Sequence, residues 1–388
     1  MRRSVLALLL LPLGGCLHGH LFGDTTDEGD KEISSFAEAR QRAATYYDGR
    51  DYVRAAAQYQ EALKIRPDYF MCQLGLAYSL MYTNLPESLL KAEGQFRKIG
   101  ERRDPKEEVK RVYGLGLTYR SLAARFQKRA RLRDGKGEVK GATEDKARSF
   151  EYAQKGIVQL KRVMEFDLVF SQEQEDEARK KKIDANALVP YRVTASLTPD
   201  AHVGIAHCEI LLMDPSRPEE LTAHEERARE NLTKYTEIAA NARKFWELQR
   251  ERLLVVDPMK EQTSSVTIDD ATKRRYEERI ANTIKQEVAV RRLLFETLAY
   301  ANRFPEAIAE ANAILTLEPG LDEVVRNRAR AYMFLQPPDR RAALRDLKEY
   351  RSRLPVDELT DEMVQLNVEI KRLESEIAKE DAAAPVGG

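Results

Sequence analysis

Residues 43–67 read AATYYDGRDYVRAAAQYQEALKIRP, and the order of small, aromatic and turn-forming residues in this stretch decides the fold. Ala43-x2-Tyr46 leads to Asp51-Tyr52, then to Ala55-x3-Tyr59, Ala62-Leu63 and Pro67. The order returns as Phe304-Pro305-Glu306-Ala307, Ala311, Ile314-Leu315 and Pro319, and again as Ala329-x2-Tyr332, Ala343-x3-Leu347, Tyr350 and Pro355. In all three copies an alanine lies twelve residues before the proline. Alanine lets two helices approach closely, the aromatic ring fills the space beside that contact, and proline cannot continue the second helix. The spacing therefore predicts helix pairs that stack on one another.

Weaker copies lie between. One has Leu76-Ala77-x2-Leu80 with Ala92-x3-Phe96 and Ile99; another has Leu115-Gly116-x2-Tyr119 with Ala153, Ile157 and Leu160; a third has Gly204 and Ala206 with Ala228, Leu232 and Tyr235. Together these positions resemble the tetratricopeptide repeat (TPR), strongly over 36–104 and 288–355 and more weakly over 105–287. The resemblance implies an all-α, TPR-like solenoid, a right-handed superhelix of helix pairs with an irregular middle. N-terminal repeats are expected over 35–132, degenerate repeats with insertions over 133–287, and C-terminal repeats over 288–355. Arg133 to Thr143, with three glycines among charges, reads as a loop, and so does Val256 to Thr267. Gln172 to Lys182 reads as a charged helix end, and Leu188 to Thr198 has strand-like residues. Leu359, Met363, Leu366, Ile370, Leu373 and Ile377 alternate spacings of four and three, a heptad seam. A helix over 356–379 is expected to cap the last repeat, with a homodimer seam as the alternative, and 380–388 reads as a frayed tail.

The other informative stretch is the start. Arg2 and Arg3 precede an apolar run from Val5 to Leu13, and Leu13-Gly14-Gly15-Cys16 closes it. A basic end, a short apolar core and small residues before a cut are the layout of a secretory signal. The core is shorter than the ~20 residues that span a bilayer. The closing tetrapeptide resembles the bacterial lipobox, which implies removal of 1–15 and acylation of Cys16. Residues 16–34 then read as a flexible acidic tether reaching ~25 Å. Leu17, in place of the aspartate that retains lipoproteins at the inner membrane, implies the outer membrane, periplasmic face.

Composition excludes some classes. The 64 basic residues match the 64 acidic ones, so no global field draws the chain to nucleic acid. With 33% charged residues and 19 glycines the chain reads as helical. Apart from Cys16, only Cys72 and Cys208 carry thiols, and both sit in apolar helical surroundings that suit free buried cysteines. A disulfide between them requires Cα atoms within ~7 Å.

Catalytic signatures are missing. His202 and His207 are five apart, so on a helix they point about 140° from each other. His224-Glu225 opens like a zinc-protease motif, but Ala228 stands where the second histidine is needed. No phosphate-binding glycine loop or nucleophile elbow occurs. No cofactor or metal is expected. A catalytic or metal-binding site around His202, His207 and Glu225 is the alternative. The run Arg120, Arg125, Lys128, Arg129, Arg131, Arg133, Lys136 and Lys140 is dense in positive charge. It reads as a solvated helix face, or as a contact for anionic headgroups or an acidic partner.

In TPR arrays the first helix of each pair lines a groove that selects the partner. Registering the chain on the repeat places Tyr47, Met71, Leu74, Tyr78, Met81, Tyr113 and Leu117 there, an apolar face of the kind monomers avoid. Either a partner or a segment of the chain itself is expected to cover it. The matching C-terminal positions are charged: Arg292, Glu296, Glu323, Arg326 and Arg330. Arg40 stands for one basic residue of the peptide-carboxylate clamp known in this family, but Ala44 and Gly75 replace its asparagines. In its anchor and repeats alone the chain is similar to pilotins and to the TPR lipoprotein of the outer-membrane β-barrel assembly machinery. The expected function is an outer-membrane scaffold for protein partners in envelope or secretion-complex assembly. A self-associating structural lipoprotein is a further alternative.

Overall fold

The structure, a computed structural model, describes residues 34–180, 197–214, 216–254, 270–354 and 360–383. Signal, Cys16 and tether, the Val256–Thr267 loop, the strand-like stretch before Leu197, Leu359 and the last five residues lie outside them. The described residues form two compact units, one ending at Asn282 and the other starting at Thr283.

In the first unit the repeat becomes α1 (Ser34–Asp48), α2 (Tyr52–Ile65), α3 (Phe70–Tyr82) and α4 (Pro86–Ile99), followed by α5 (Pro105–Gly135) and α6 (Val139–Lys180). Next come α7 (Thr198–Leu212) and α8 (Pro218–Leu254); α9 (Asp270–Tyr300) runs across the boundary into the second unit. From α1 to α8 each helix packs against the next. The starts are set locally: the carboxylates of Asp51 and Asp104 accept hydrogen bonds from Arg54 N and Lys106 N, and prolines 86, 105 and 218 open three helices, where a missing N–H costs nothing.

Ala43, Ala55, Ala62 and Ala92 are fully buried between helices, as the spacing requires. A second device was not expected. The ring of Tyr59 on α2 sits where a Cβ on Gly75 of α3 would come within 2.5 Å, and Phe96 on α4 likewise occupies the notch at Gly114 of α5, at 2.3 Å. Leu160 on α6 fills the notch at Gly204 of α7, at 2.7 Å. A large residue on each second helix thus seats on a glycine of the next first helix. That places α5/α6 and α7/α8 in the same series as the two N-terminal pairs. The middle is therefore helix pairs among its described residues. The loop expected over 133–143 shrinks to a turn between Gly135 and Val139, closed by Glu138 N to Arg133 O at 2.9 Å with Gly137 at φ 78°.

The second unit repeats the scheme with α10 (Phe304–Leu317), α11 (Asp322–Met333), α12 (Arg340–Arg353) and α13 (Asp361–Ala383). The turn into α10 copies the turn into α2: Arg50 and Asn302 both adopt φ 61°, and Asp51 N→Tyr46 O and Arg303 N→Leu298 O both span 2.8 Å. Ala307, Ala311, Ala329 and Ala343 are buried. Helix α13 lays Leu366 and Leu373 into the cluster formed by Val325, Leu347 and Tyr350. Met363 and Ile377 of the same heptad are also buried, so the seam is spent inside this chain and the helix caps the last pair. Its exposed apolar residues, Val364 and Val368, lie off that seam. The helix continues to Ala383, past the expected start of the tail.

Candidate functional site

The residues expected to line an open groove do something else. Tyr47, Leu74, Tyr78, Met81, Tyr113 and Leu117 are all buried, and only Met71 keeps partial exposure. They bridge successive first helices. Tyr47 on α1 packs edge-on to Tyr82 on α3 with ring centroids 6.1 Å apart; Tyr78 on α3 donates to Lys110 O on α5 at 2.7 Å. Tyr113 on α5 donates to an Asp200 carboxylate oxygen on α7 at 3.1 Å. The first helices lie close enough for one side chain to span each gap. The apolar face is a seam of the core and is covered by the chain's own helices.

Along this seam a polar cup remains partly open to water, formed by Tyr82, Arg120, Asp200 and His207, each half-buried. Tyr52 stacks on Tyr82 at 5.0 Å, and Tyr78 stacks on the same ring at 6.1 Å. Burial pushes the Asp200 carboxyl up to about 6, against the pull of the Tyr113 hydroxyl and the Arg120 guanidinium. Burial also depresses His207 to about 3, helped by the positive charge of Arg120, so its imidazole is neutral at physiological pH. Arg120 is thus within electrostatic reach of both α7 residues, yet it makes no hydrogen bond or ion pair among the described residues. A half-buried guanidinium without an acceptor can take a carboxylate or phosphate from a visitor.

The histidines diverge as the helix geometry requires. His202 Nδ1 meets Asn231 Oδ1 at 2.8 Å, on the α8 side, while His207 faces Arg120. Glu225 is buried 3.9 Å from Arg229. His224 and Arg227 instead hold the buried Glu209 carboxylate at 2.6 and 2.9 Å, a structural clamp between α7 and α8. Cys72 and Cys208 are free and buried, and burial pushes both thiols up to about 12. Among the described residues no group of three or more His, Cys, Asp or Glu is placed to hold a metal ion. Arg40 is engaged by the Tyr69 hydroxyl at 2.9 Å, and Gly75 is filled by Tyr59.

In the second unit the first-helix face is charged, as its sequence suggested. Arg292 on α9 pairs with Glu323 on α11, and Arg326 on α11 pairs with Glu362 on α13. Two groups in this row have no such partner among the described residues: Glu296, whose carboxyl burial raises to about 7, and Arg330. Neither the Arg120 cup nor the notch glycines were expected as features; an arginine ending an apolar first-helix run was the only signal for the cup.

No known family pattern and no curated protein matches this chain. Among solved structures it is similar to the TPR domain of P58(IPK), with 12% identity and a TM-score of 0.20, over 89% of this chain and 99% of that one. It is also similar to yeast Tom70, with 12% identity and a TM-score of 0.19, over 90% and 91% of the two chains. Likenesses of that size leave the repeat assignment resting on the helix pairs and glycine notches. No described helix is long and apolar enough to cross a membrane.

Proposed function

We propose that this chain is a lipid-anchored scaffold of the outer membrane, periplasmic face, that holds protein partners in envelope or secretion-complex assembly. The Leu13-Gly14-Gly15-Cys16 ending of its signal-like start supports the anchor, and stacked helix pairs without a catalytic constellation among the described residues support the scaffold. The observation that carries partner binding is Arg120, half-buried beside Tyr82, Asp200 and His207 and lacking an acceptor among the described residues. An acidic side chain or terminus of the partner supplies it, and tethering multiplies the affinity through local concentration. Binding through the apolar seam is not part of this reading, because Leu74, Tyr78 and Tyr113 are core residues.

The test is cross-linking in the native envelope of the parent, Arg120→Gln and Glu296→Gln/Arg330→Gln. A partner joined to the parent and lost with Arg120→Gln supports the cup. Identical cross-links in all three would remove it. Cys16→Ser tests the anchor separately: radiolabelled palmitate incorporation and membrane fractionation should both be lost.

A further inference from the structure

The far end of the α5/α6 hairpin is chemically unlike the rest of the molecule. From Arg131 to Lys140 every residue except Arg133 is exposed. Two of them are large and apolar, Leu132 at 58% and Val139 at 67% exposure. They flank the turn between the two helices, so both stand at the tip. Around them residues 125–148 carry nine basic and four acidic side chains, an excess of five, in a chain whose total charge is zero.

Part of that charge is spent internally. The buried Asp145 carboxylate takes Arg129 at 2.5 Å and Arg133 at 3.1 Å, and Glu138 lies 3.7 Å from Arg133. The Asp145 pairs tie the two helices together at the base of the tip. Lys128, Lys136 and Lys140 are different: each is exposed, and none has a hydrogen-bond or ion-pair partner among the described residues. Among the described residues these lysines, with two exposed apolar residues between them, satisfy no ion pair or hydrogen bond.

We propose that this hairpin tip docks on an anionic lipid surface, with Lys128, Lys136 and Lys140 on the headgroups and Leu132 and Val139 in the acyl boundary. Long lysine side chains place their charge at the headgroups while their stems lie beside apolar neighbours. Each contributes roughly fivefold to binding on a negative surface. Two aliphatic side chains add a shallow, reversible insertion. Residues 131–140 carry no aromatic anchor, and two aliphatic side chains among uncommitted lysines suit a fluid anionic surface better than the fixed acidic face of a folded protein. The contact is separate from any acyl chain on Cys16; with both, the molecule would be held at two points.

Vesicle sedimentation tests this with the full chain carrying Cys16→Ser, so that no acyl chain contributes. Vesicles of phosphatidylglycerol and phosphatidylcholine are compared with phosphatidylcholine alone. Binding is expected on the anionic vesicles, reduced at least ~100-fold in Lys128→Glu/Lys136→Glu/Lys140→Glu and clearly weakened in Leu132→Ser/Val139→Ser. Both variants change exposed residues only, and their helicity should match the parent. Val139→Trp should shift its emission to the blue on anionic vesicles and not on neutral ones, above the constant signal of the buried Trp246. Equal binding by parent and lysine variant would overturn the proposal. So would lysine dependence without any effect of Leu132→Ser/Val139→Ser and without a blue shift; charge alone would then be at work, as on an acidic protein.

Discussion

Tyr113 on α5 donates its hydroxyl to Asp200 on α7 across 3.1 Å, joining the first helices of two adjacent pairs that lie 87 residues apart in sequence. The bond closes a ladder that starts with Tyr47 and Tyr82 and continues through Tyr78 and the carbonyl of Lys110. Burial, against the pull of this bond, sets the ionisation of Asp200. The carboxylate is costly to bury there, and the Tyr113 hydroxyl and the Arg120 guanidinium only partly offset that cost.

Asp200 therefore has a pH signature. Its folded-state pKa, about 6, lies above the ordinary 3.8, so the fold holds the proton more tightly than the unfolded chain does. Its contribution to stability is full below about 4 and is lost as pH rises through about 6. Asp200→Asn keeps an acceptor for Tyr113 and never ionises. It should match the parent near pH 4 and exceed it by ~3 kcal/mol at pH 7.5. Urea unfolding of both proteins between pH 4 and 7.5 reads the difference, and a constant offset across that range would contradict the assignment.

His207 predicts the opposite slope in the same cup. Its folded-state pKa, about 3, lies below the ordinary 6.5, so the unfolded chain takes up the proton first. Stability is full above about 6.5 and declines as pH falls below it. His207→Gln should be indistinguishable from the parent at pH 8 and more stable at pH 5. Direct titration of the imidazole by NMR provides the check; a normal midpoint near 6.5 would show the ring to be solvated.

The notch glycines yield a pair of contrasting substitutions. Gly114→Ala would place a Cβ 2.3 Å from Phe96 Cζ and 2.9 Å from Tyr78 Cζ, both buried rings held by their neighbours. Overpacking of that kind costs ~1–3 kcal/mol. Gly94 on α4 is exposed, and a Cβ there meets nothing within 4 Å. Gly94→Ala should instead stabilise by ~0.5–1 kcal/mol through helix propensity. Thermal melts that moved both variants the same way would mean the notches are looser than described.

The helix pairs were legible because each depends on short-range features: Ala55 and Ala307 at the crossing, Tyr59 beside it, proline after it. Cys72 and Cys208 as buried thiols, the divergent histidines and the charged row from Arg292 to Arg330 follow from the same local reading. What the sequence hid is the distance between first helices of successive pairs. Tyr78 and Tyr113 occupy nominal groove positions, and nothing local states that the next first helix is near enough to consume them. The α5/α6 turn likewise reads as a loop because Gly135, Gly137 and Gly141 look alike in sequence. Only Gly137 adopts a left-handed conformation; Gly141 continues the helix beside Arg133. The Arg120 cup depends on residues from three helices and leaves no pattern in any one of them.

In the second unit, stability should hinge on the pair formed by Arg328 on α11 and Asp346 on α12. Asp346 is fully buried, and the guanidinium holds both carboxylate oxygens, at 2.7 and 3.0 Å, while a third bond reaches Asn312 on α10 at 2.7 Å. Arg345 lies 3.8 Å away but is largely exposed and cannot replace that fork. Removing one partner of a buried pair strands the other charge, at a cost of ~3–5 kcal/mol. Arg328→Ala is expected to lower the urea midpoint accordingly. Replacing both residues, Arg328→Met/Asp346→Leu, removes the stranded charge and should recover most of the loss. A double variant no more stable than Arg328→Ala would show that the arginine acts by filling space between α10, α11 and α12, and that the buried charge is not what makes it necessary.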